Sequence, residues 1–214
     1  MKTHAYNELY LEEAMNNLGS MLDCAVNVAH CDLLVFYGMF LSSGIASEIE
    51  VGNPRYVVGM SGMELMQLVF RRSSDKVLPD LTYHPFERTP EYWAGWVLAY
   101  YQWHNACSFS FIQKNGLDIR TLVSLYGTLH EVDLSRFVLT ADAIVGQHLA
   151  LRKNMLKTLR KQAKITQRQL ADLSGVSLRM IQAYEQGDQD IRKAEAQTVL
   201  ALSHALACRP EMIV

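Results

Sequence analysis

The sequence predicts an all-α protein, in which an acidic N-terminal helical bundle precedes a smaller C-terminal helical domain. Three observations support this fold class. Apolar residues recur at the three- and four-residue spacing of amphipathic helices along most of the chain. Capping residues stand at the start of several of these segments. No two neighbouring segments show the alternation and tight turn of a β-hairpin.

Length and composition agree with a globular protein of this kind. The 214 residues allow one large domain or two small ones. Half of the residues are hydrophobic and 20% are charged, which excludes a mainly disordered chain. The apolar stretch at 33–41 is too short to span a bilayer. The first residues also lack the apolar run of a secretory signal, so we expect a cytoplasmic protein with no membrane partner.

The distribution of charge predicts a boundary near residue 150. Residues 1–150 contain 9 Lys and Arg against 16 Asp and Glu, a balance of −7. Residues 151–214 contain 11 Lys and Arg against 6 Asp and Glu, a balance of +5. An acidic region followed by a basic one indicates a polyanion-binding module attached to a domain of another kind. Chance clustering of solvated charges on helix faces remains the alternative.

Capping residues mark the predicted helices of the acidic region, 1–150. One long amphipathic helix is predicted over about 8–29, and Asp32 is expected to cap the next. Ser61 and Glu64 have the spacing of a capping box. The segment 72–89 resembles a loop, and a further helix is expected to begin at Thr89, with a proline in its first position.

An aromatic stripe lies on this last helix. Four aromatic residues fall at i, i+3, i+7 and i+10, and they include all three tryptophans: Trp93, Trp96, Tyr100 and Trp103. Aromatic residues dominate core packing, so a buried or interdomain face is the first interpretation. A surface that binds a partner protein and a pocket for a small molecule are the functional alternatives.

Metal and catalytic motifs are weak. The four cysteines, at 24, 31, 107 and 208, lack both a secretory context and the paired spacing of a zinc site. Cys24, His30 and Cys31 lie close in sequence, as do His104 and Cys107, but neither group forms such a pattern. No common nucleophile, phosphate-loop or dinucleotide motif is present. We therefore expect neither an enzyme nor a bound metal or cofactor.

The basic region, 151–214, contains a more specific pattern. Thr166 and Ser177 are placed to cap two short helices, which Gly175 separates and Gly187 ends. The residues predicted to point inward from these helices are Leu170, Ala171, Leu173, Ile181 and Tyr184. Two short helices joined at a glycine, on a basic module, form the helix-turn-helix arrangement.

Residues 166–187 carry the motif Thr-Gln-x-x-Leu-Ala-x-x-Ser-Gly-Val-Ser-x-x-x-Ile-x-x-Tyr-Glu-x-Gly. This motif resembles the Xre/Cro-repressor family of phage-repressor-like helix-turn-helix domains, and the resemblance extends from about 154 to 214. It implies five helices, at about 154–163, 167–174, 178–186, 194–207 and 210–213. Val199, Leu202, Leu206 and Ile213 would then pack onto the core. The first 150 residues match no family that we can name.

The resemblance also implies which residues contact DNA. Gln167 would bind a phosphate, and the helix that begins at 178 would enter the major groove. Arg179 would read a guanine, with a phosphate contact or a solvated charge as the alternative. Leu178 and Ala183 depart from the polar residues often found there, so specificity would be modest. The full set of expected DNA-binding residues is Thr166, Gln167, Arg168, Ser177, Leu178, Arg179, Gln182 and Ala183.

Two further residues match a structural position of the family. Arg160 and Glu185 correspond to the partners of a buried ion pair in phage repressors. The alternative is that they are two unrelated surface charges. The resemblance therefore implies a polar contact that holds the first predicted helix of this domain to the third.

A DNA-binding transcriptional regulator is the function that the resemblance implies, and we expect it to act as a repressor. Domains of this family usually bind palindromic operators as dimers, so a homodimer on double-stranded DNA is expected. The first hypothesis for the remainder is an autoregulatory antitoxin, whose N-terminal domain binds a protein toxin. The alternative is a repressor whose N-terminal domain senses a small molecule. A scaffold that no longer binds DNA is a third class.

Overall fold

The computed structural model describes residues 4–74, 88–153 and 155–213, with side chains left undescribed at 151–153. Helices account for the regular secondary structure in these ranges, and no strand occurs there. The all-α prediction is confirmed. Contacts between Cα atoms divide the chain into two compact units, Met1–Val145 and Gly146–Val214. The predicted loop at 72–89 lies largely outside the described residues.

Within the described ranges, eight α-helices lie wholly in the N-terminal unit, Met1–Val145, and a ninth begins there and continues past Val145. The predicted segment at 8–29 begins with a 3-10 turn at Glu8–Tyr10 and ends with a π turn at Cys24–Val28. The helix between these turns is α1, with 13 residues, and the later helices range from four residues in α4 to 20 in α9. Their bounds are α1 Leu11–Asp23, α2 Leu33–Ser42, α3 Ile45–Glu50, α4 Pro54–Val57, α5 Gly62–Ser73, α6 Pro90–Asn105, α7 Phe109–Lys114, α8 Ile119–Leu129 and α9 Leu134–Lys153.

The predicted helix starts are confirmed. The Asp32 carboxylate accepts hydrogen bonds from the backbone amides of Leu34 and Val35. Ser61 and Glu64 form the reciprocal bonds of a capping box at the start of α5. Thr89 accepts from the amide of Tyr92, with proline in the first turn of α6. Each cap satisfies amides that have no partner within the helix, so the chain fixes these starts locally.

Close contact between α1 and α6 organises the core of the N-terminal unit. These two helices pack side by side, while α5 packs against α1 and α8 against α6. A Cβ atom at Gly95 would lie only 2.4 Å from the carbonyl oxygen of Leu18, and one at Gly19 would lie 2.9 Å from that of Tyr92. Both glycines are therefore required for the short distance between the helix axes. The largest fully buried side chains of this core include Leu18, Met21, Leu22, Phe36, Phe40, Leu65, Met66, Leu98, Phe109 and Phe137.

The C-terminal unit, Gly146–Val214, follows the predicted order of helices with changes in length. Its helices after α9 are α10 Met155–Gln162, α11 Gln167–Ser174, α12 Leu178–Gln186 and α13 Ala196–Ala205. The fifth predicted helix is a single 3-10 turn, Pro210–Met212. Another 3-10 turn, Ile191–Lys193, precedes α13. The core consists of Leu156, Leu170, Ile181, Tyr184, Ile191, Leu202 and Ile213.

One predicted core residue of the C-terminal unit is misplaced. Leu173 is 64% exposed, so the prediction that it points inward is wrong. Leu170 and Ala171 on the same helix do face the core. Successive residues of a helix lie about 100° apart, and Leu173 falls beyond the narrow stripe that this eight-residue helix buries. Leu206 packs against the core, whereas Val199 is half-buried without belonging to it.

Neither a membrane span nor a metal cluster occurs among the described residues. None of the helices in the described ranges is long and apolar enough to cross a membrane. Within the same ranges, no group of three His, Cys, Asp or Glu side chains could hold a metal ion.

Candidate nucleic-acid interface

Local hydrogen bonds fix the start of α11 and both ends of the turn between α11 and α12. Thr166 accepts from the amide of Gln169, whose side chain in turn accepts from the amide of Thr166. Gly175 ends α11 in the left-handed region, with φ of +71°, and its amide donates to the carbonyl of Ala171. Ser177 then caps α12 by accepting from the amide of Met180. These contacts set the angle between the two helices, since glycine adopts a positive φ without strain.

A buried ion pair joins α10 to α12. Arg160 donates from Nε to Oε1 of Glu185 over 2.7 Å, and from Nη2 to Oε2 over 2.8 Å. Its remaining terminal nitrogen donates to the carbonyl oxygen of Ile165 over 2.9 Å. The Arg160 side chain is 11% exposed and that of Glu185 is 2% exposed. The bidentate geometry compensates both charges in a site that water hardly reaches.

The environment of Glu185 favours its ionised form. Burial alone would raise the pKa of this carboxyl group. Hydrogen bonds from Arg160 and Gln167, together with the positive charges of Arg160 and Lys157, outweigh that effect and hold the pKa of Glu185 below its usual value. The same pairing raises the pKa of Arg160. Both groups are therefore charged at neutral pH.

Gln167 belongs to the same polar network. Its side-chain Nε2 donates to Oε2 of Glu185 over 2.8 Å, so the first residue of α11 is tied to α12. The family resemblance implied a phosphate contact for Gln167. Nothing in the sequence indicated its bond to Glu185, because the two residues lie eighteen positions apart. The bond leaves the amide oxygen and the second Nε2 hydrogen of Gln167 available.

The other expected DNA-binding residues lie around the turn and along α12. Thr166, Arg168, Ser177 and Arg179 are exposed at the starts of the two helices. Leu178, Gln182 and Ala183 are half-buried on α12. The first amides of α11 carry the positive end of its dipole, which suits an anion. One unit therefore holds a helix start that suits an anion and a helix face of mixed polar and apolar residues.

Comparison with known protein families identifies the domain that these helices form. Residues 156–213 match a family model described as helix-turn-helix. The C-terminal unit carries a helix-turn-helix domain of the Xre/Cro-like family. The presence of this domain supports a role for the chain as a DNA-binding transcriptional regulator. No curated protein and no solved structure matches the chain, and no family model matches the N-terminal region.

The aromatic stripe outside the helix-turn-helix domain divides into two parts. Trp103 is buried, stacks on His4 with ring centroids 3.9 Å apart, and donates from Nε1 to the carbonyl of Tyr6. Tyr100 is half-buried and stacks on His104. The other two residues of the stripe, Trp93 and Trp96, face α8 and α9 instead. The stripe is therefore no continuous exposed surface.

Trp93 and Trp96 line a cavity of about 350 Å³ in the N-terminal unit. Trp93 is buried and meets the rings of Tyr126 and Phe137 edge-on, each with centroids 5.8 Å apart. Trp96 is half-buried. The sequence could not show this cavity, because its walls come from helices separated by some thirty to forty residues along the chain.

Proposed function

We propose that the protein is a repressor that binds a palindromic operator through its helix-turn-helix domain. The observation that carries this proposal is the fixed angle between α11 and α12, with Ser177 and Arg179 exposed at the start of α12. In this proposal α12 enters the major groove, and Arg179 donates to a guanine. Gln167 and the first amides of α11 contact a phosphate.

The ion pair of Arg160 and Glu185 supports the same proposal. Because Glu185 also binds Gln167, the phosphate-binding residue and the helix that reads bases are held together by one carboxylate. Preorganisation of this kind lowers the entropy that binding would otherwise cost. Two copies would occupy half-sites whose centres lie about one helical turn, roughly 10 bp, apart.

Footprinting on the promoter region of its own gene tests the operator proposal. We expect protection of a short palindrome, with an affinity that falls steeply as salt concentration rises. The double variant R179A/Q182A should lose this protection, while R209A, which removes an exposed arginine of the same unit outside α11 and α12, should retain it. Equal binding to unrelated sequences at moderate salt would contradict the proposal.

We further propose that the N-terminal unit binds a protein partner, and that the partner is a toxin encoded beside this gene. The charge balance of −7 over residues 1–150 supports this, since it would attract a basic protein surface and speed encounter. In this antitoxin proposal the N-terminal unit neutralises the toxin, and the helix-turn-helix domain represses the shared operon.

A small-molecule sensor is the second candidate, and the cavity beside Trp93 and Trp96 favours it. Ligand pockets in proteins range over roughly 300–1,000 Å³, with mostly apolar walls and a few polar groups. The cavity has this size and this kind of lining. In this proposal the ligand changes operator affinity through the N-terminal unit.

A further inference from the structure

Half of the residues that line the cavity carry aromatic rings. The indoles of Trp93 and Trp96 come from α6, the phenol of Tyr126 from α8 and the ring of Phe137 from α9. Tyr126 also stacks on His130, with ring centroids 4.4 Å apart. Aromatic walls favour a flat, unsaturated guest, because ring pairs gain from stacked and edge-on contact beyond the burial of area.

Most polar groups around the cavity already have partners. The Tyr126 hydroxyl donates to the carbonyl of Arg88, and the Tyr92 hydroxyl donates to Oδ1 of Asn16, each over 3.0 Å. The His130 ring has Nδ1 2.7 Å from the carbonyl of Tyr126 and Nε2 3.6 Å from the Glu131 carboxylate. These hydroxyl and imidazole groups are therefore held by the protein itself.

Two charged side chains at the cavity remain available. Arg88 and Asp133 both line it, and no ion pair joins them or involves either one within the described ranges. Oδ1 of Asp133 accepts from the amides of Ser135 and Arg136, which caps α9. Its second oxygen, Oδ2, takes no part in that cap. The guanidinium of Arg88 suits a carboxylate, which it can bind through two parallel hydrogen bonds.

We propose that this cavity binds an aromatic compound that carries a carboxylate group, with the ring between Trp93 and Trp96 and the carboxylate on Arg88. The inference rests on the second candidate function, the sensor, and names its class of ligand. Two sources share this chemistry: aromatic amino acids and simple aromatic acids. An amino acid would add an ammonium group for Asp133, whereas a simple acid would leave Asp133 unused.

Titration of the full-length protein with three probes tests the proposal, using calorimetry and tryptophan fluorescence. All three probes carry a phenyl ring. Phenylacetate adds a carboxylate, L-phenylalanine adds a carboxylate and an ammonium group, and phenethylamine adds an ammonium group only. We expect the first two probes to bind and to change the fluorescence, since Trp93 and Trp96 would touch the ring. Phenethylamine should bind much more weakly. Failure of both carboxylates to bind, or equal binding by phenethylamine, would overturn the proposal.

Variants assign the charged contacts. R88Q should lower the affinity for phenylacetate about tenfold or more, because a charge-assisted contact is lost. R120Q, at an exposed arginine that does not line the cavity, should leave that affinity unchanged. Unchanged affinity in R88Q would overturn the proposal.

D133N keeps the cap of α9 and should weaken only the binding of L-phenylalanine if an amino acid is the source. Equal affinity for both carboxylates, unaltered by D133N, identifies simple acids.

Binding and regulation are measured separately. The titrations contain no DNA, so they report on the cavity whether or not the sensor function is correct. Repeating the operator footprint with saturating phenylacetate then reports on the sensor. If phenylacetate binds but leaves operator affinity unchanged, the result supports the binding site and contradicts only the sensor function.

Discussion

Glu185 is the residue at which the polar contacts of the helix-turn-helix domain converge. Its two carboxylate oxygens accept hydrogen bonds from Arg160 and Gln167, and its side chain is almost fully buried. One carboxylate therefore links α10, α11 and α12. Removal of a partner from such a site leaves an uncompensated buried charge, which costs more than the pair contributes.

We expect E185A to lower the free energy of unfolding of the C-terminal unit by about 3–5 kcal/mol. Arg160 would then be a buried cation without its partner. Hydrogen exchange of amides in residues 155–213, measured on the full chain, reports this loss separately from the N-terminal unit. Domains of this size have little stability to spare, so the substitution could unfold the unit.

The exposed pair of Arg192 and Asp190 supplies the control. The side chains of Arg192 and Asp190 are 44% and 33% exposed. Nη2 of Arg192 lies 2.7 Å from Oδ2 of Asp190, the same distance as between Nε of Arg160 and Oε1 of Glu185. D190N keeps the capping oxygen and should cost at most about 1 kcal/mol, since water screens the pair. Equal losses in E185A and D190N would show that burial of the Arg160 pair does not matter.

Replacement of Gln167 and replacement of Arg179 should weaken DNA binding in different ways. R179A should cost about 1–3 kcal/mol of operator binding and relax preference at one base pair. Q167A should weaken binding to all sequences alike, because a phosphate contact carries no sequence information. Binding titrations on operator and random DNA separate the two effects. If R179A weakens both DNAs equally, Arg179 contacts only the backbone.

At the scale of elements, the crossing of α1 and α6 depends on the absence of two side chains. Gly19 and Gly95 bring the two backbones into contact, and helices with larger residues there would stand further apart. The sequence did not single out these glycines. Neighbouring residues do not show whether an isolated glycine in a helical pattern is needed for close packing or is merely accommodated by the helix.

We expect G95A to destabilise the N-terminal unit by about 1–3 kcal/mol or more, since the added methyl group meets backbone that cannot move aside. Thermal unfolding of the full chain, followed by tryptophan fluorescence, reports on this unit because it contains all three tryptophans.

G127A is the matched control for the same packing. Gly127 is also helical, on α8, but an added Cβ there would meet nothing within 4 Å. This substitution should stabilise α8 by about 0.5–1 kcal/mol, because alanine loses less backbone entropy on folding. A stabilising effect of G95A would contradict the packing argument.

At the scale of the whole molecule, two units of opposite charge share one chain. The basic unit is the DNA-binding one, and the acidic unit has no family assignment. Salt also screens the repulsion between DNA and the acidic unit, so this repulsion partly offsets the salt dependence that the basic unit produces. In both proposals for the acidic unit, control of transcription depends on what that unit binds.

Expression of residues 1–150 alone separates the two proposals for that unit. If the unit neutralises a toxin directly, this fragment should rescue growth against the product of the neighbouring gene without binding DNA. Rescue by the full chain only, through repression of transcription, would contradict the antitoxin proposal and favour the sensor. In a pull-down, release of the neighbouring gene's product from this fragment at high salt would support the role assigned to the acidic charge.

The sequence by itself determined the features that depend on neighbouring residues. Asp32, Ser61, Thr89, Thr166 and Ser177 were each recognisable as helix caps, and each accepts from an amide two or three positions further on. The helix-turn-helix motif likewise occupies one continuous segment, so its helices and its family followed from residue order. Local hydrogen bonds and the helical period carry this information.

Only the tertiary structure decided which faces are buried and which distant groups meet. Leu173 proved exposed, the aromatic stripe divided between two environments, and Gln167 joined Glu185. Trp93 owes its surroundings to Tyr126 and Phe137, residues more than thirty positions away. The physical reason is that burial depends on the sum of all elements packed against a face. A periodic pattern shows that a helix has an apolar face, but its partner comes from elsewhere in the chain.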